Sequence, residues 1–175
     1  ADPDVNSMYP SFIVEYGVSP HHLSSKVFLG IVEWLRTTRL DAKHNGRKLE
    51  ADALKIVINR IYGALNDAMD YLYTVTINLQ LLLCNLIEAF ELNKFEVLSA
   101  NTDGLLIRLP IDRKGTFDHI CKEWEEYSKL TLETEKFEKY CRSAVNDYIA
   151  VGYGFYDALQ SYNRSGSWID NKGNV

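Results

Sequence analysis

Two carboxylates and a row of cations are the residues in this chain with types and spacing suited to chemistry. Asp4 opens a short extended piece, and Asp103 sits at the bend of "LSANTDGLLIRLP", between two apolar runs that read as strands. Arg36, Arg39, Lys43, Arg47 and Lys48 crowd one stretch in which Asp41 is the single acid, and Arg36, Arg39 and Lys43 share one helical face. In "ALKIVINRIYGALND", Lys55, Asn59 and Tyr62 recur at three- and four-residue steps, a polar stripe beside the apolar stripe Leu54, Val57, Ile58, Ile61 and Leu65. Gly63 inside that helical pattern costs about 1 kcal/mol relative to alanine and suggests close approach by a backbone or ligand. Each feature has a plain alternative. Asp103 suits a turn by its local hydrogen bonding, and a charged helix face is most often simply solvated. Taken together, two strand-borne acids, clustered cations and a Lys/Asn/Tyr stripe are the set required for metal-assisted phosphoryl or nucleotidyl transfer, with a triphosphate as the polyanion.

These groups need elements to hold them. We expect an extended piece over Val5 to Tyr9, broken by Pro10 and followed by a helix to Tyr16. Residues 24–43 read as a helix, His44-Asn45-Gly46 as a turn and Glu50 to Leu65 as a second helix, so that Lys43 and Lys55 approach one end of a helical hairpin. Leu79, Leu82, Leu83, Leu86, Ile87 and Phe90 mark a core-facing stripe on a third helix. Strands then flank Asp103, and a helix over Thr116 to Ser128 carries Phe117, Ile120, Cys121 and Trp124. Extended segments run through "TLETEKFEKY" and "NDYIAVGY", and the polar tail "YNRSGSWIDNKGNV" reads as a hairpin or frayed end. No parallel βαβ rhythm emerges, which predicts an α+β fold with an antiparallel sheet covered on one face by helices.

Composition narrows the classes. A chain of 175 residues with 46% apolar content can bury one core, and a net charge of −5 argues against a uniformly basic coat for nucleic acid. Cys84, Cys121 and Cys141 lack disulfide or zinc spacing and read as buried, reduced thiols. The apolar stretch "LQLLLCNLIEAF" is too short to span a bilayer, so no membrane partner is expected. "LETE" reads as charge alternation on a strand.

Three segments carry a resemblance. "DVNSMYPS" resembles the first palm motif of family B DNA polymerases, roughly D-x-x-S-L-Y-P-S, with Met8 the one change from consensus. "KIVINRIYG" resembles the second, K-x-x-x-N-S-x-Y-G, with Arg60 at the usual serine, and "NTDG" resembles the third, D-T-D-S. They occur in family order. "RLDAK" is similar to the arginine–lysine spacing of the family's fingers, and "LETEKFEKYCRSAVNDYIAV" to the segment that ends in its K-x-Y motif.

The resemblance implies a right-hand polymerase palm with a fingers hairpin: residues 1–23 as palm with the first motif, 24–66 as fingers, 67–151 as palm with the second acid, and 152–175 leading toward an absent thumb. It implies Asp4 and Asp103 as the catalytic acids that, with the Val5 carbonyl, hold two Mg2+ ions, with Mn2+ as a substitute. Ser7, Met8, Tyr9, Arg39, Lys43, Lys55 and Asn59 would bind dNTP, with Tyr9 closing the space of a ribose 2'-hydroxyl. Tyr62 and Gly63 would lie against the nascent base pair, and Tyr148 against primer-template DNA.

The sequence departs from the family pattern at Asn101, Gly104 and Asn146, which stand for the first aspartate and serine of D-T-D-S and the lysine of K-x-Y. Asn101 can still offer a neutral oxygen or an amide donor; loss of the lysine weakens an expected phosphate contact. The expectation is a template-directed DNA polymerase of bacteriophage type, working in the host cytoplasm with other replication proteins. The chain would be a palm and fingers fragment without exonuclease or thumb, weak or inactive alone. The alternatives are a catalytically eroded DNA- or partner-binding remnant, and a palm-type primase or reverse transcriptase.

Overall fold

A computed structural model describes residues 1–63, 68–144, 147–152 and 162–165, with side chains left aside at 62, 63, 143, 144, 147 and 162–165. The chain is α+β, with small antiparallel sheets and helices in the order β1 (Asp2–Val5), α1 (Met8–Glu15), α2 (Ser25–His44), α3 (Lys48–Gly63), α4 (Met69–Leu92), β2 (Glu96–Ala100), β3 (Leu105–Arg108), α5 (Lys114–Ser128), β4 (Leu132–Glu135), β5 (Phe137–Ala144), β6 (Asp147–Gly152) and β7 (Tyr162–Ser165).

The first strand joins two others. β1 pairs with β4, Asp2 opposite Glu135 and Asp4 opposite Glu133. On its other edge Asp4 stands opposite Gly104, and Ala1 and Ile107 exchange backbone hydrogen bonds of 2.8 Å in both directions. β3 pairs in turn with β2, with a bulge between Val97 and Ser99. The strands therefore lie side by side as β4-β1-β3-β2. Because side chains alternate across a strand, Pro3, Val5, Leu105 and Ile107 point into the core while Asp2 and Asp4 point the other way.

Helices cover the apolar face. The stripe Leu79, Leu83, Leu86 and Phe90 is buried on α4, with Leu82 and Ile87 half-buried beside it, as the periodicity predicts. Phe117, Ile120, Cys121 and Trp124 on α5 are all buried, and the Trp124 indole N–H donates to the Leu82 carbonyl at 2.9 Å. Phe90, Phe95 and Phe117 meet with ring centroids 5.3 to 6.4 Å apart, and each such ring contributes about 1.5–3 kcal/mol on burial. α4 is longer than the apolar stretch read from sequence. At 24 residues, with an 18-residue stretch of mean hydropathy 1.4, it has the length and composition of a membrane span, but one of its faces is the core stripe just described.

The α2–α3 hairpin forms as expected. Gly46, at φ 69°, takes the left-handed turn that ends α2, and the Arg47 N–H closes it onto the Ala42 carbonyl at 2.8 Å. Several expectations need correction. The piece from Val5 to Tyr9 is not extended throughout: β1 ends at Val5 and α1 begins at Met8, so Pro10 falls in the first helical turn, where its missing N–H has no intrahelical role. Val57 is exposed on α3, which leaves the buried stripe there narrower than its periodicity suggests, and Leu65 lies outside the described residues. Cys84 and Cys141 are exposed because they sit on the outward sides of α4 and β5. Only Cys121 is buried, where desolvation pushes its thiol up to about 12. In the tail, β7 pairs with β6, and 166–175 lie outside the described residues.

Candidate active site

Asp103 enters the site on a tight turn. Asn101 Oδ1 accepts the N–H of Gly104 at 2.7 Å and that of Asp103 at 3.3 Å, while the Asp103 carbonyl accepts the Val5 N–H at 2.7 Å. The backbone of Asp103 is thus tied at both ends to the turn and to β1. The Asn101 oxygen is committed to that turn, so the role open to it as a neutral donor of oxygen to a ligand is replaced by a backbone one.

Asp4 stands opposite the turn on the polar face of the sheet. Its carboxyl is raised from 3.8 to about 7, first by crowding of protein atoms and then by the charges of Asp103, Asp2 and Glu133, with Lys55 opposing. Asp2 is raised as well, by burial and by Glu135. The folded chain has collected acids where they repel one another.

Cations face them across a cleft of about 380 Å³ whose lining includes Asp4, Val5, Asp103, Arg39, Lys43 and Lys55. α2 supplies Arg39, which donates to Ser7 Oγ, and Lys43, whose ammonium lies 2.6 and 2.9 Å from the two Glu133 oxygens. α3 supplies Lys55 and, one turn on, Asn59. Ser7, Met8 and Tyr9 complete the wall at the amino end of α1, where backbone N–H groups favour anions. Ser7 holds φ 50°, a left-handed conformation uncommon for serine. The Met8 side chain is buried with the core cluster.

Most of the candidate residues read from sequence therefore converge: Asp4, Val5, Ser7, Met8, Tyr9, Arg39, Lys43, Lys55, Asn59 and Asp103 all line the cleft. Arg36 does not. It turns toward α1, 3.5 Å from Ser11 Oγ and 3.7 Å from Glu15, because one helical turn moves it away from the acids. Arg47 is likewise spent on Asp41 and Glu50. Tyr62 and Gly63 end α3, and their side chains, like all of Asn146, lie outside the described residues.

Tyr148 sits away from the cleft on β6, stacked on Tyr140 at 5.3 Å. Tyr140 in turn lines a second groove of about 590 Å³ together with Arg108, Lys114, Lys136 and Phe137.

Glu133 is the residue that sequence reasoning missed. Its strand places it opposite Asp4, and it binds both Lys43 and the Asn6 side chain amide, the latter at 3.1 Å. The "LETE" alternation was its only local signal, and that signal does not reveal that β4 pairs with β1.

Do these residues suit divalent ions? The unbalanced charge on Asp4 and Asp103 is what a dication offsets. Among the described residues, however, no three His, Cys, Asp or Glu side chains converge as a metal-binding group. Two carboxylates and a carbonyl fit Mg2+, which is commonly held by one or two carboxylates plus substrate phosphates. The chain matches no protein-family model and no curated protein.

Proposed function

We propose that this chain is the palm and fingers of a family B DNA polymerase and that it transfers deoxynucleotides to a primer 3'-hydroxyl under the direction of a template. The observation that carries this reading is the convergence of Asp4 and Asp103 with Arg39, Lys43 and Lys55 on one cleft, from four separate parts of the sequence. In this reading β1, the β2–β3 turn and the helices behind them are the palm, and α2 with α3 is the fingers.

Asp4, Asp103 and the Val5 carbonyl would hold two Mg2+ ions, or Mn2+ in their place. Bound there, the ions supply Lewis-acid stabilisation of charge on the phosphoryl oxygens. Arg39, Lys43 and Lys55 grip the triphosphate, with the amides of Ser7, Met8 and Tyr9 at the helix end beneath it. Asn59 supports the pocket, and the Tyr9 ring fills the space of a ribose 2'-hydroxyl, which selects deoxynucleotides. By the same resemblance, Tyr62 and Gly63 would lie against the nascent base pair. Tyr148 would lie against primer-template DNA, with Lys114 and Lys136 of the groove beside Tyr140 available to its phosphates. Such a protein would work in the cytoplasm of a phage-infected cell with other replication proteins.

The test combines Mn2+ binding with primer extension. The chain should bind Mn2+ more tightly when dNTP is present, and extension should fall about a thousandfold or more in Asp4→Asn and in Asp103→Asn. Binding and extension that survive both substitutions would sink the assignment. Absence of Mn2+ binding in the unsubstituted chain would favour an eroded binding module, and equal use of ribonucleotides would favour a primase or reverse transcriptase.

A further inference from the structure

The geometry points to the Asn101–Gly104 turn as the device that sets how Asp103 is brought to Asp4, with glycine at 104 as the part that leaves the Asp4 carboxylate its place. The inference rests on the reading of these two carboxylates as a shared divalent-ion site.

Gly104 stands opposite Asp4 where β3 meets β1. A Cβ built on it would lie 2.8 Å from Asp4 Oδ1, 3.0 Å from the Pro3 carbonyl oxygen and 3.2 Å from Asp4 Cα. Two of those three atoms are backbone. β1 cannot retreat from them, because its far edge is paired with β4 and Val5 is buried beneath it. The Asp4 carboxylate, at the end of a flexible side chain, could rotate away, but that would change how it faces the cleft it shares with Asp103. A Cβ at Gly17, Gly30, Gly46 or Gly115 would meet nothing within 4 Å. The demand at Gly104 is for space, since its φ lies outside the left-handed region that would itself call for glycine.

Asn101 supplies the other half. Its one oxygen accepts both N–H groups of the turn, and the Asp103 carbonyl is taken by Val5. With its backbone held on both sides, Asp103 keeps only its side-chain torsions as freedom.

Manganese binding by the whole chain, followed by electron paramagnetic resonance in the presence of dNTP, tests the inference alongside thermal melting. Gly104→Ala and Gly104→Ser should each weaken Mn2+ affinity about 10- to 100-fold, the range seen when groups that orient metal ligands are lost. Should neither fold, Asn101→Ala carries the test, because it adds no atom to the tight contact. It should melt within a few degrees of the parent and bind Mn2+ about tenfold more weakly, while Asn101→Asp, which keeps the acceptor, retains parental affinity or better.

Parental affinity in Gly104→Ala or in Asn101→Ala overturns the positioning role. If Asp4→Asn still abolishes binding in that case, the metal reading stands without it. No Mn2+ binding by the unsubstituted chain overturns both.

Discussion

The two faces of the β4-β1-β3-β2 strands follow opposite rules. Beneath them Val5, Leu105, Ile107, Leu86, Phe90 and Phe117 are nearly solvent-free and mutually apolar, with no conflict among them. Above them, one residue along the same strand, Asp4 is raised to about 7 by desolvation and then by its acidic neighbours, Ser7 takes a left-handed backbone and Gly104 lies so near Asp4 that a Cβ on it would sit 2.8 Å from the carboxylate. Consistency among local preferences marks a region selected for folding, and concentrated violation marks one selected for something else. The difference teaches that β1 has two jobs. Its odd residues anchor the sheet, and its even residues present charge that the anchor keeps from relaxing.

That contrast can be broken from either side. The largest effect is expected at the upper face: Asp103→Asn or Asp4→Asn should remove several kcal/mol of transition-state stabilisation, about a thousandfold or more in primer extension, while circular dichroism and melting show a folded chain. Next comes the lower face. Phe90→Ala removes a fully buried ring in contact with Phe95 and Phe117, and should cost about 3–5 kcal/mol in urea unfolding. If Phe90→Ala left stability untouched, or Asp4→Asn unfolded the chain, the division of labour would be wrong.

Legibility from the sequence follows the same division. Periodicity exposes the lower face, because a core stripe such as Leu79, Leu83, Leu86 and Phe90 repeats within one helix and needs no knowledge of its neighbours. The α2–α3 hairpin is also local, announced by His44-Asn45-Gly46. The upper face is assembled from residues distant in the chain, and their types alone leave turn chemistry and solvated helices as equal readings; similarity to ordered motifs is what singles out Asp4, Lys55 and Asp103. What stays hidden is strand pairing. Nothing near Glu133 indicates that β4 will lie beside β1, and nothing near Gly104 indicates that Asp4 will fill the space where its Cβ would be. Arg36 errs in the other direction, since a helical face broad enough to include it extends past the cleft.

A smaller effect is expected from pH. The folded chain holds the Asp4 proton up to about 7 whereas the unfolded chain releases it near 3.8. The stability this contributes is complete below the unfolded value and is lost as pH rises through the folded one. Asp2, raised in the same direction, adds to the loss. In metal-free buffer, unfolding free energy should therefore fall between about pH 4 and pH 7. Asp4→Asn should flatten that slope and be the more stable of the two at the upper end. A parent whose stability rises over this window would contradict the crowding of acids on the upper face.

The smallest effect tests whether the upper face is balanced within itself. Glu133 holds Lys43 through two short contacts, yet both side chains are more than two-fifths exposed, at 46% and 43%. An exposed pair of this kind contributes about 0–1 kcal/mol, so Glu133→Gln should barely move the melting temperature. Its consequence lies in competition. A triphosphate that engages Lys43 must displace the Glu133 carboxylate, and removing that rival charge should tighten dNTP binding up to about fivefold, the equivalent of 1 kcal/mol. The same substitution removes one of the charges that raise Asp4, so the pH slope should become shallower in parallel. Tighter dNTP binding without any change in that slope would show that Glu133 acts on Lys43 alone. If dNTP binding weakened instead, Glu133 would be a support that holds Lys43 in place for the phosphates, and the upper face would be less frustrated than its charges imply.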